Sequence, residues 1–152
     1  MANSFGADTT AEEAAGDVDL SGKTIVLTGG SAGLGVEVAR VLAKRGARVV
    51  SVVRDRAKGE AAATRIREAV PNADIEFAEL DLFDLDSVRK GADDIAARFP
   101  KIDRLINNAG VMMCPLGRTK EGLDTQLGTN HLGHFVLTAR LIDSLSAATP
   151  AR

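Results

Sequence analysis

The chain has 152 residues, of which 45% are apolar and 26% charged. This composition predicts one folded domain of ordinary size and argues against disorder. There are five Phe but no Tyr and no Trp, so no reaction that needs a tyrosine hydroxyl can be run by these residues alone. A single cysteine, Cys114, excludes an internal disulfide and is typical of a reducing compartment. The net charge of −2 gives no indication of binding to nucleic acid or to an anionic membrane.

Acidic residues are concentrated at the start of the chain. Residues 1–22 include five acidic residues and no Lys or Arg. No basic start followed by an apolar run is present, so a secretory signal is not predicted. The uncharged stretch 24–36 is 13 residues long and too short to span a bilayer. We therefore expect a cytoplasmic protein with an acidic extension over residues 1–19, in which the spacing of Thr10 and Glu13 predicts a short capped helix.

Beyond residue 20, strand and helix patterns alternate along the chain. The predicted strands are residues 24–28, 48–53, 75–80 and 103–107. The predicted helices are 34–45, 57–70, 85–98 and a long one over 122–145. One side of that last helix is expected to present Leu123, Leu127, His131, His134 or Phe135, and Thr138. This alternation predicts an α/β fold with a parallel sheet and helices on both faces.

A glycine-rich turn joins the first strand to the first long helix. Its residues fit the pattern T-G-x-x-x-G-x-G through Thr28, Gly29, Gly33 and Gly35. G-x-G-x-x-G starting at Gly33 fails because Val38 holds the last position, and no Gly-Lys-Ser/Thr follows to make a P-loop. Glycine permits positive φ and lets backbone N–H groups approach a phosphate at a helix N-terminus. Taken alone, the motif leaves open a glycine-rich turn that binds nothing.

Three further motifs occur in order along the chain. Asp81-Leu82 follows the third strand, Asn-Asn-Ala-Gly (107–110) follows the fourth, and Thr-Asn-His-Leu-Gly-His-Phe (129–135) falls in the long helix. Together with the glycine-rich turn they resemble the short-chain dehydrogenase/reductase family. The segments 107–115 (NNAGVMMCP) and 129–135 (TNHLGHF) are most similar to its retinol-dehydrogenase-like branch. The resemblance runs from about Leu20 to the end of the chain and stops before the family's Ser and Tyr-x-x-x-Lys.

The resemblance implies a Rossmann-type doubly wound parallel sheet, truncated here to about four strands in the order 3-2-1-4. Residues 20–152 would then form an incomplete dinucleotide-binding domain, and we expect the chain to be a fragment. The implied cofactor-binding residues are Gly29, Ser31, Ala32, Gly33, Leu34 and Gly35 at the pyrophosphate, Asp81 and Leu82 at the adenine, and Asn108, Ala109 and Gly110 towards the ribose and nicotinamide. By the same resemblance, Asn107 would tie strands together.

The choice of cofactor depends on the end of the second strand. A carboxylate there accepts from the ribose 2′-hydroxyl of NAD, whereas an arginine accommodates the 2′-phosphate of NADP. Val53 is followed by Arg54 and then Asp55. The planar fork of Arg54 favours NADP(H) over NAD(H), although Asp55 turned inward would favour NAD(H).

Hydride transfer in the family depends on an Asn, a Ser and a Tyr-x-x-x-Lys pair. Asn130 matches the catalytic asparagine, while the other three have no counterpart in the 152 residues. Two hypotheses follow. The chain is the cofactor-binding part of an NADP(H)-dependent oxidoreductase acting on a lipophilic alcohol or carbonyl, inactive alone, or it is a non-catalytic nucleotide-binding or interaction protein.

The remaining features predict packing rather than chemistry. His131 and His134 are one helical turn apart but lack a third ligand, so helix packing is favoured over a metal site. Cys114 is expected to be a small loop residue. Without a fifth strand, strand 103–107 would be an unpaired edge, and Leu132, Phe135, Val136, Leu137 and Leu141 would be partly exposed. The chain is therefore expected to self-associate.

Overall fold

A computed structural model describes residues 5–152. The strands are β1 (Thr24–Thr28), β2 (Arg48–Val53), β3 (Ile75–Glu79) and β4 (Arg104–Ile106). The helices are α1 (Ala11–Ala15), α2 (Leu34–Lys44), α3 (Arg56–Ala69), α4 (Leu85–Arg98), α5 (His134–Arg140) and α6 (Ile142–Ser146), with a π-helical segment, Leu127–Gly133, leading into α5. Each predicted strand and each of the first three predicted long helices is present to within one residue at either end.

The four strands form one parallel sheet in the order β3-β2-β1-β4, as predicted. In register, Thr28 pairs with Val52 and Leu27 with Ile106, while Val53 pairs with Glu79. The carboxyl ends of the strands therefore meet at one edge of the sheet. In open α/β sheets, this is the edge where ligands bind.

Alternation along the strands divides the core into two layers. Val26 and Val50 belong to a cluster that includes the apolar faces of α4 and α5, whereas Ile25, Leu27 and Val49 pack with residues of α2 and α3 on the other face. These side chains are essentially fully buried. Strands covered on both faces by helices are the packing of a doubly wound fold, so the predicted fold class is confirmed.

The described part of the acidic extension packs against α2. Thr10 caps α1 by accepting from the Glu13 N–H at 3.2 Å, and the Glu13 carboxylate accepts from the Thr10 N–H at 2.7 Å. Glu12 then pairs with Lys44 at 2.7 Å and with Arg40 at 2.6 Å. The predicted short helix is confirmed, while residues 1–4 of the extension lie outside the described part of the chain.

The prediction of one helix over 122–145 is wrong. Regular helical structure starts at the π-helical segment, and a break at Leu141 separates α5 from α6. Leu127 and Phe135, expected on the packed side, are 50% and 64% exposed, whereas His134 and Leu137 are buried. The wider i→i+5 turns change the direction in which successive side chains point. A prediction that assumes a constant period of 3.6 residues therefore assigns the wrong side chains to the buried face.

The free edge of β4 is partly paired, which corrects a second expectation. The backbone carbonyl of Arg152 accepts from the Leu105 N–H at 2.9 Å, and the backbone N–H of Arg152 donates to the Asp103 carbonyl at 3.1 Å. Leu137 and Leu141, expected to be partly exposed, are fully buried. Phe135 is exposed as expected, with Leu132 and Val136 half-buried.

Within residues 5–152, no helix has both the length and the apolarity needed to cross a membrane. The same residues contain no group of three or more His, Cys, Asp or Glu side chains placed to hold a metal ion. Cys114 is a free, half-buried thiol in the loop after β4. A cytoplasmic location remains a prediction.

Candidate dinucleotide-binding site

A groove of about 460 Å³ lies over the carboxyl ends of the strands, and we call it the carboxyl-end groove. Of the predicted cofactor-binding residues, it is lined by Gly29, Ser31, Ala32, Leu34, Gly35, Arg54, Asp81, Leu82, Asn108, Ala109 and Gly110. Gly33 does not line it and acts instead as the N-terminal cap of α2, with φ +57°. The structure therefore brings residues from four separate loops to one groove.

Sequence reasoning missed several lining residues. Val52, Val53 and Leu80 supply apolar walls at the ends of β2 and β3, and Val111 and Thr129 line the far end. Thr129 directly precedes the predicted Asn130, and its buried hydroxyl has no hydrogen-bond partner within the described chain. The strand ends could have been found from the general rule that these positions contact ligands.

The glycine-rich turn is shaped by close backbone contacts. Gly29 has φ +76°, and a Cβ there would lie 3.0 Å from the Ala109 Cα. At Gly35, in the first turn of α2, a Cβ would overlap the Gly29 carbonyl oxygen and lie 2.9 Å from Nδ2 of Asn108. A side chain at either position would fill the space between the turn and the loop after β4. The open backbone at the N-terminus of α2 fits a pyrophosphate.

Thr28 joins β1 to the loop after β4. Its hydroxyl accepts from the N–H groups of Asn108 at 2.9 Å and Ala109 at 3.0 Å, and the Asn108 side chain donates to the Thr28 carbonyl at 3.0 Å. Asn107 instead donates to Thr138 on α5 at 3.1 Å. The strand-tying role implied for Asn107 is therefore carried by Asn108.

Asn130 does not line the groove, but it holds a residue that does. Its side-chain oxygen accepts from the Val111 N–H at 2.8 Å, and its Nδ2 donates to the Val111 carbonyl at 2.8 Å. The oxygen and the nitrogen of the Asn130 amide therefore both bond to the backbone of Val111. His134, one turn later, is buried with one ring nitrogen 2.9 Å from the Thr28 hydroxyl and the other 2.9 Å from the Asn130 carbonyl.

The two histidines do not share a face, since His131 is exposed and His134 is buried. The packing interpretation therefore holds for His134 and is wrong for His131.

At the other end of the groove, Asp81 starts the loop after β3. The Asp81 N–H donates to the Ser87 hydroxyl at 2.9 Å, and its Oδ1 accepts from the Phe83 N–H at 3.0 Å. No protein donor in residues 5–152 reaches Oδ2. That oxygen is free to accept from a ligand such as the adenine amino group.

Arg54 and Asp55 have different environments. Arg54 lines the groove, is exposed, and forms no ion pair within the described residues. Asp55 caps α3 by accepting from the Lys58 N–H at 3.1 Å, and the Lys58 ammonium lies 4.0 Å from its other oxygen. The carboxylate is therefore held at the start of α3, while the guanidinium remains available to the groove.

The loop after Val111 is fastened to the start of α4. Lys120 pairs with Asp84 at 2.9 Å and with Asp86 at 3.3 Å, and the Lys120 ammonium, followed by the backbone N–H donors of α4, lowers the pKa of Asp84. Between these anchors and Val111, the side chains of Met112, Met113 and Leu116 are 80%, 90% and 99% exposed. An apolar, exposed loop therefore flanks the end of the groove nearest Asn130.

Comparison with known proteins places this site in a family. Residues 23–152 match the family model for short chain dehydrogenase, so the chain belongs to that family. It is 48% identical over 136 residues to human retinol dehydrogenase 12, covering 90% of this chain and 43% of that protein. It is 38% identical over 144 residues to the Brassica napus chloroplastic short-chain dehydrogenase TIC 32 B, covering 95% of this chain and 45% of that one.

Solved structures show the same fold. An uncharacterized protein from Mycobacterium paratuberculosis superimposes with a TM-score of 0.73 at 48% identity, covering 82% of this chain and 43% of the other. The RhlG/NADP active-site complex from Pseudomonas aeruginosa gives a TM-score of 0.73 at 27% identity, covering 87% of this chain and 52% of the other. The chain spans less than half the length of the curated relatives named above. It is similar to retinol dehydrogenases 11, 12 and 13, at 44–48% identity to the human proteins.

Proposed function

We propose that this chain binds NADP(H) in the carboxyl-end groove, as the cofactor-binding part of a short-chain oxidoreductase acting on a lipophilic alcohol or carbonyl. The observation that carries the cofactor preference is the contrast between Arg54, unpaired within the described residues, and Asp55, engaged as the cap of α3. A guanidinium at the end of the second strand suits a 2′-phosphate. The NADP complex of RhlG is consistent with this preference.

Each part of the groove has a role in this proposal. The N–H groups around Ser31 to Gly35, at the N-terminus of α2, bind the pyrophosphate. Asp81 accepts from the adenine, and the loop held by Thr28 and Asn130 carries the ribose and nicotinamide half. The nicotinamide, when bound, supplies or accepts the hydride.

Support for the substrate class comes from the relatives and from the exposed loop. Proteins named retinol dehydrogenase are 44–48% identical to this chain, and the apolar side chains of Met112, Met113 and Leu116 stand beside the groove. We therefore propose a lipophilic alcohol or carbonyl. Because the 152 residues contain no Tyr, the general acid–base group of the family is missing, and we expect no turnover from this chain alone.

Calorimetric titration with NADPH and NADH tests the cofactor proposal. We expect NADPH to bind about tenfold or more tightly, as one charge-assisted hydrogen bond would give, and Arg54→Gln to remove most of that difference. Arg65→Gln, an exposed α3 residue outside the groove, is the matched control. Equal affinity for both cofactors in the unmodified chain would refute the preference, and binding of neither would favour the alternative of a non-catalytic interaction protein.

A further inference from the structure

His134 is buried between two parts of the site, and its surroundings determine which ring nitrogen carries the proton. Nε2 lies 2.9 Å from the Thr28 hydroxyl, and Nδ1 lies 2.9 Å from the Asn130 carbonyl. A carbonyl oxygen only accepts, so the proton must be on Nδ1 for that contact to be a hydrogen bond.

The Thr28 hydroxyl imposes the complementary requirement on Nε2. A hydroxyl has one hydrogen to donate and two lone pairs to accept with. Both lone pairs are used by the N–H groups of Asn108 and Ala109. The hydrogen can go to His134 at 2.9 Å or to the Ile106 carbonyl at the longer distance of 3.4 Å. Donation to His134 requires a bare Nε2, which matches the proton on Nδ1.

The π-helical segment creates the place for the Nδ1 contact. The backbone N–H of His134 donates to the carbonyl of His131 rather than to the carbonyl of Asn130. The Asn130 carbonyl therefore lacks the usual α-helical donor four residues later, and the ring of that same residue takes its place. Asn130 in turn holds Val111 through both ends of its side-chain amide.

We propose that His134 is a positioning residue, fixed as the neutral Nδ1–H tautomer, that sets the loop after β4 against the end of β1. It bridges the Thr28 hydroxyl, which holds the Asn108 and Ala109 N–H groups, to the backbone of Asn130, which holds Val111. Ala109 and Val111 both line the carboxyl-end groove. The effect on cofactor binding rests on the proposed function, whereas the tautomer does not.

Nitrogen NMR of the imidazole tests the tautomer directly. The chain has only two histidines, so a His131→Gln variant leaves His134 as the sole source of ring signals. We expect a pyrrole-type Nδ1 and a pyridine-type Nε2. Thr28→Val should shift the Nε2 signal to that of an unbonded pyridine-type nitrogen, while Thr28→Ser, which keeps the hydroxyl, should not. A protonated Nε2, averaged tautomers, or an unchanged Nε2 signal in Thr28→Val would overturn the proposal.

NADPH affinity tests the positioning role. His134→Gln can keep the contact with Thr28 and His134→Asn the contact with Asn130, but neither can keep both. Each variant is expected to weaken NADPH binding by about tenfold, the equivalent of one lost hydrogen bond. The exposed control, His131→Gln, should leave the NADPH affinity unchanged. If one of the two His134 variants fails to fold, the other, compared with His131→Gln, carries the test.

Unchanged affinity in the folded variants would refute the positioning role. If the unmodified chain does not bind NADPH, the proposed function and the positioning role fail together, and the ring signals still decide the tautomer.

Discussion

The ammonium of Lys23 lies 3.0 Å from Oδ1 of Asp103, a carboxylate whose side chain is only 3% exposed. The second oxygen, Oδ2, accepts from the Thr24 N–H at 3.0 Å, and the Asp103 N–H returns a 2.9 Å bond to the Thr24 carbonyl. The start of β4 is thus fastened to the start of β1. Burial raises the pKa of Asp103, but the Thr24 N–H and the Lys23 ammonium together outweigh it, so the pKa is lowered overall.

Asp103→Asn should lower the free energy of unfolding at pH 7 by about 1.5–3 kcal/mol, the magnitude of a hydrogen bond to a charged group. Because folding lowers the pKa, the charged form stabilises the fold above the ordinary value of about 4 and this contribution is lost as the pH falls below it. Urea unfolding at pH 7 and pH 3 should show the difference shrinking in acid. The exposed Asp143→Asn is the control, and an equal deficit at both pH values would contradict the assignment.

Gly35→Ala should abolish NADPH binding and destabilise the fold, because the added Cβ would overlap the Gly29 carbonyl oxygen. Gly6→Ala, where nothing lies within 4 Å of the new Cβ, is the control. Thermal unfolding and calorimetry measure the two effects. Tight NADPH binding by Gly35→Ala would mean that the glycine-rich turn does not form the pyrophosphate site.

The outer edge of β3 is capped by two arginines. Arg67 from α3 donates to the Ile75 carbonyl at 2.9 Å, and Arg98 from α4 donates to the Phe77 carbonyl at 2.9 Å. Since an edge strand with free carbonyls can pair with another chain, replacing both arginines by Met should increase concentration-dependent association in sedimentation. The control is the double variant Arg65→Met with Arg89→Met, which removes the same two positive charges from other positions on α3 and α4. Equal sedimentation of the two double variants would show that the caps do not protect the edge.

Self-association of the unmodified chain is expected at the opposite edge. Arg152 pairs with only the first part of β4, and Phe135 is 64% exposed. Exposed apolar surface beside a free strand edge favours association. Phe135→Gln should therefore reduce association at micromolar concentration. A monomeric unmodified chain would contradict this prediction.

The sequence predicts well those parts of the fold in which buried side chains recur at a constant interval. Val26 and Ile25 alternate between the two core layers, so the strands and their order follow from pattern and family resemblance. The helical pattern fails at residues 127–133 because the π-helical turns change the period there. Motifs predict most of the groove residues, but the tie through Asn108 rather than Asn107 depends on side-chain direction. No motif fixes that direction.

The docking of α1 on α2 gives a prediction specific to the N-terminal extension. Hydrogen bonds from Lys44 and Arg40 lower the pKa of Glu12 to about 2. The charged form is therefore favoured in the docked state, so docking should be complete above the ordinary pKa of about 4.5 and weaken as the pH falls towards 2. Exposed ion pairs are also screened by salt.

Glu12→Gln should release α1 without unfolding the domain, because the core layers contain no residue of α1. Hydrogen exchange at pH 7 should become faster over residues 11–19 while the melting temperature changes little. Adding 1 M NaCl to the unmodified chain should have a similar effect, since the Debye length then falls to about 3 Å. Asp8→Asn, an exposed change in the same extension, should leave exchange unaltered. Unchanged exchange in Glu12→Gln would mean that contacts other than this carboxylate hold α1 in place.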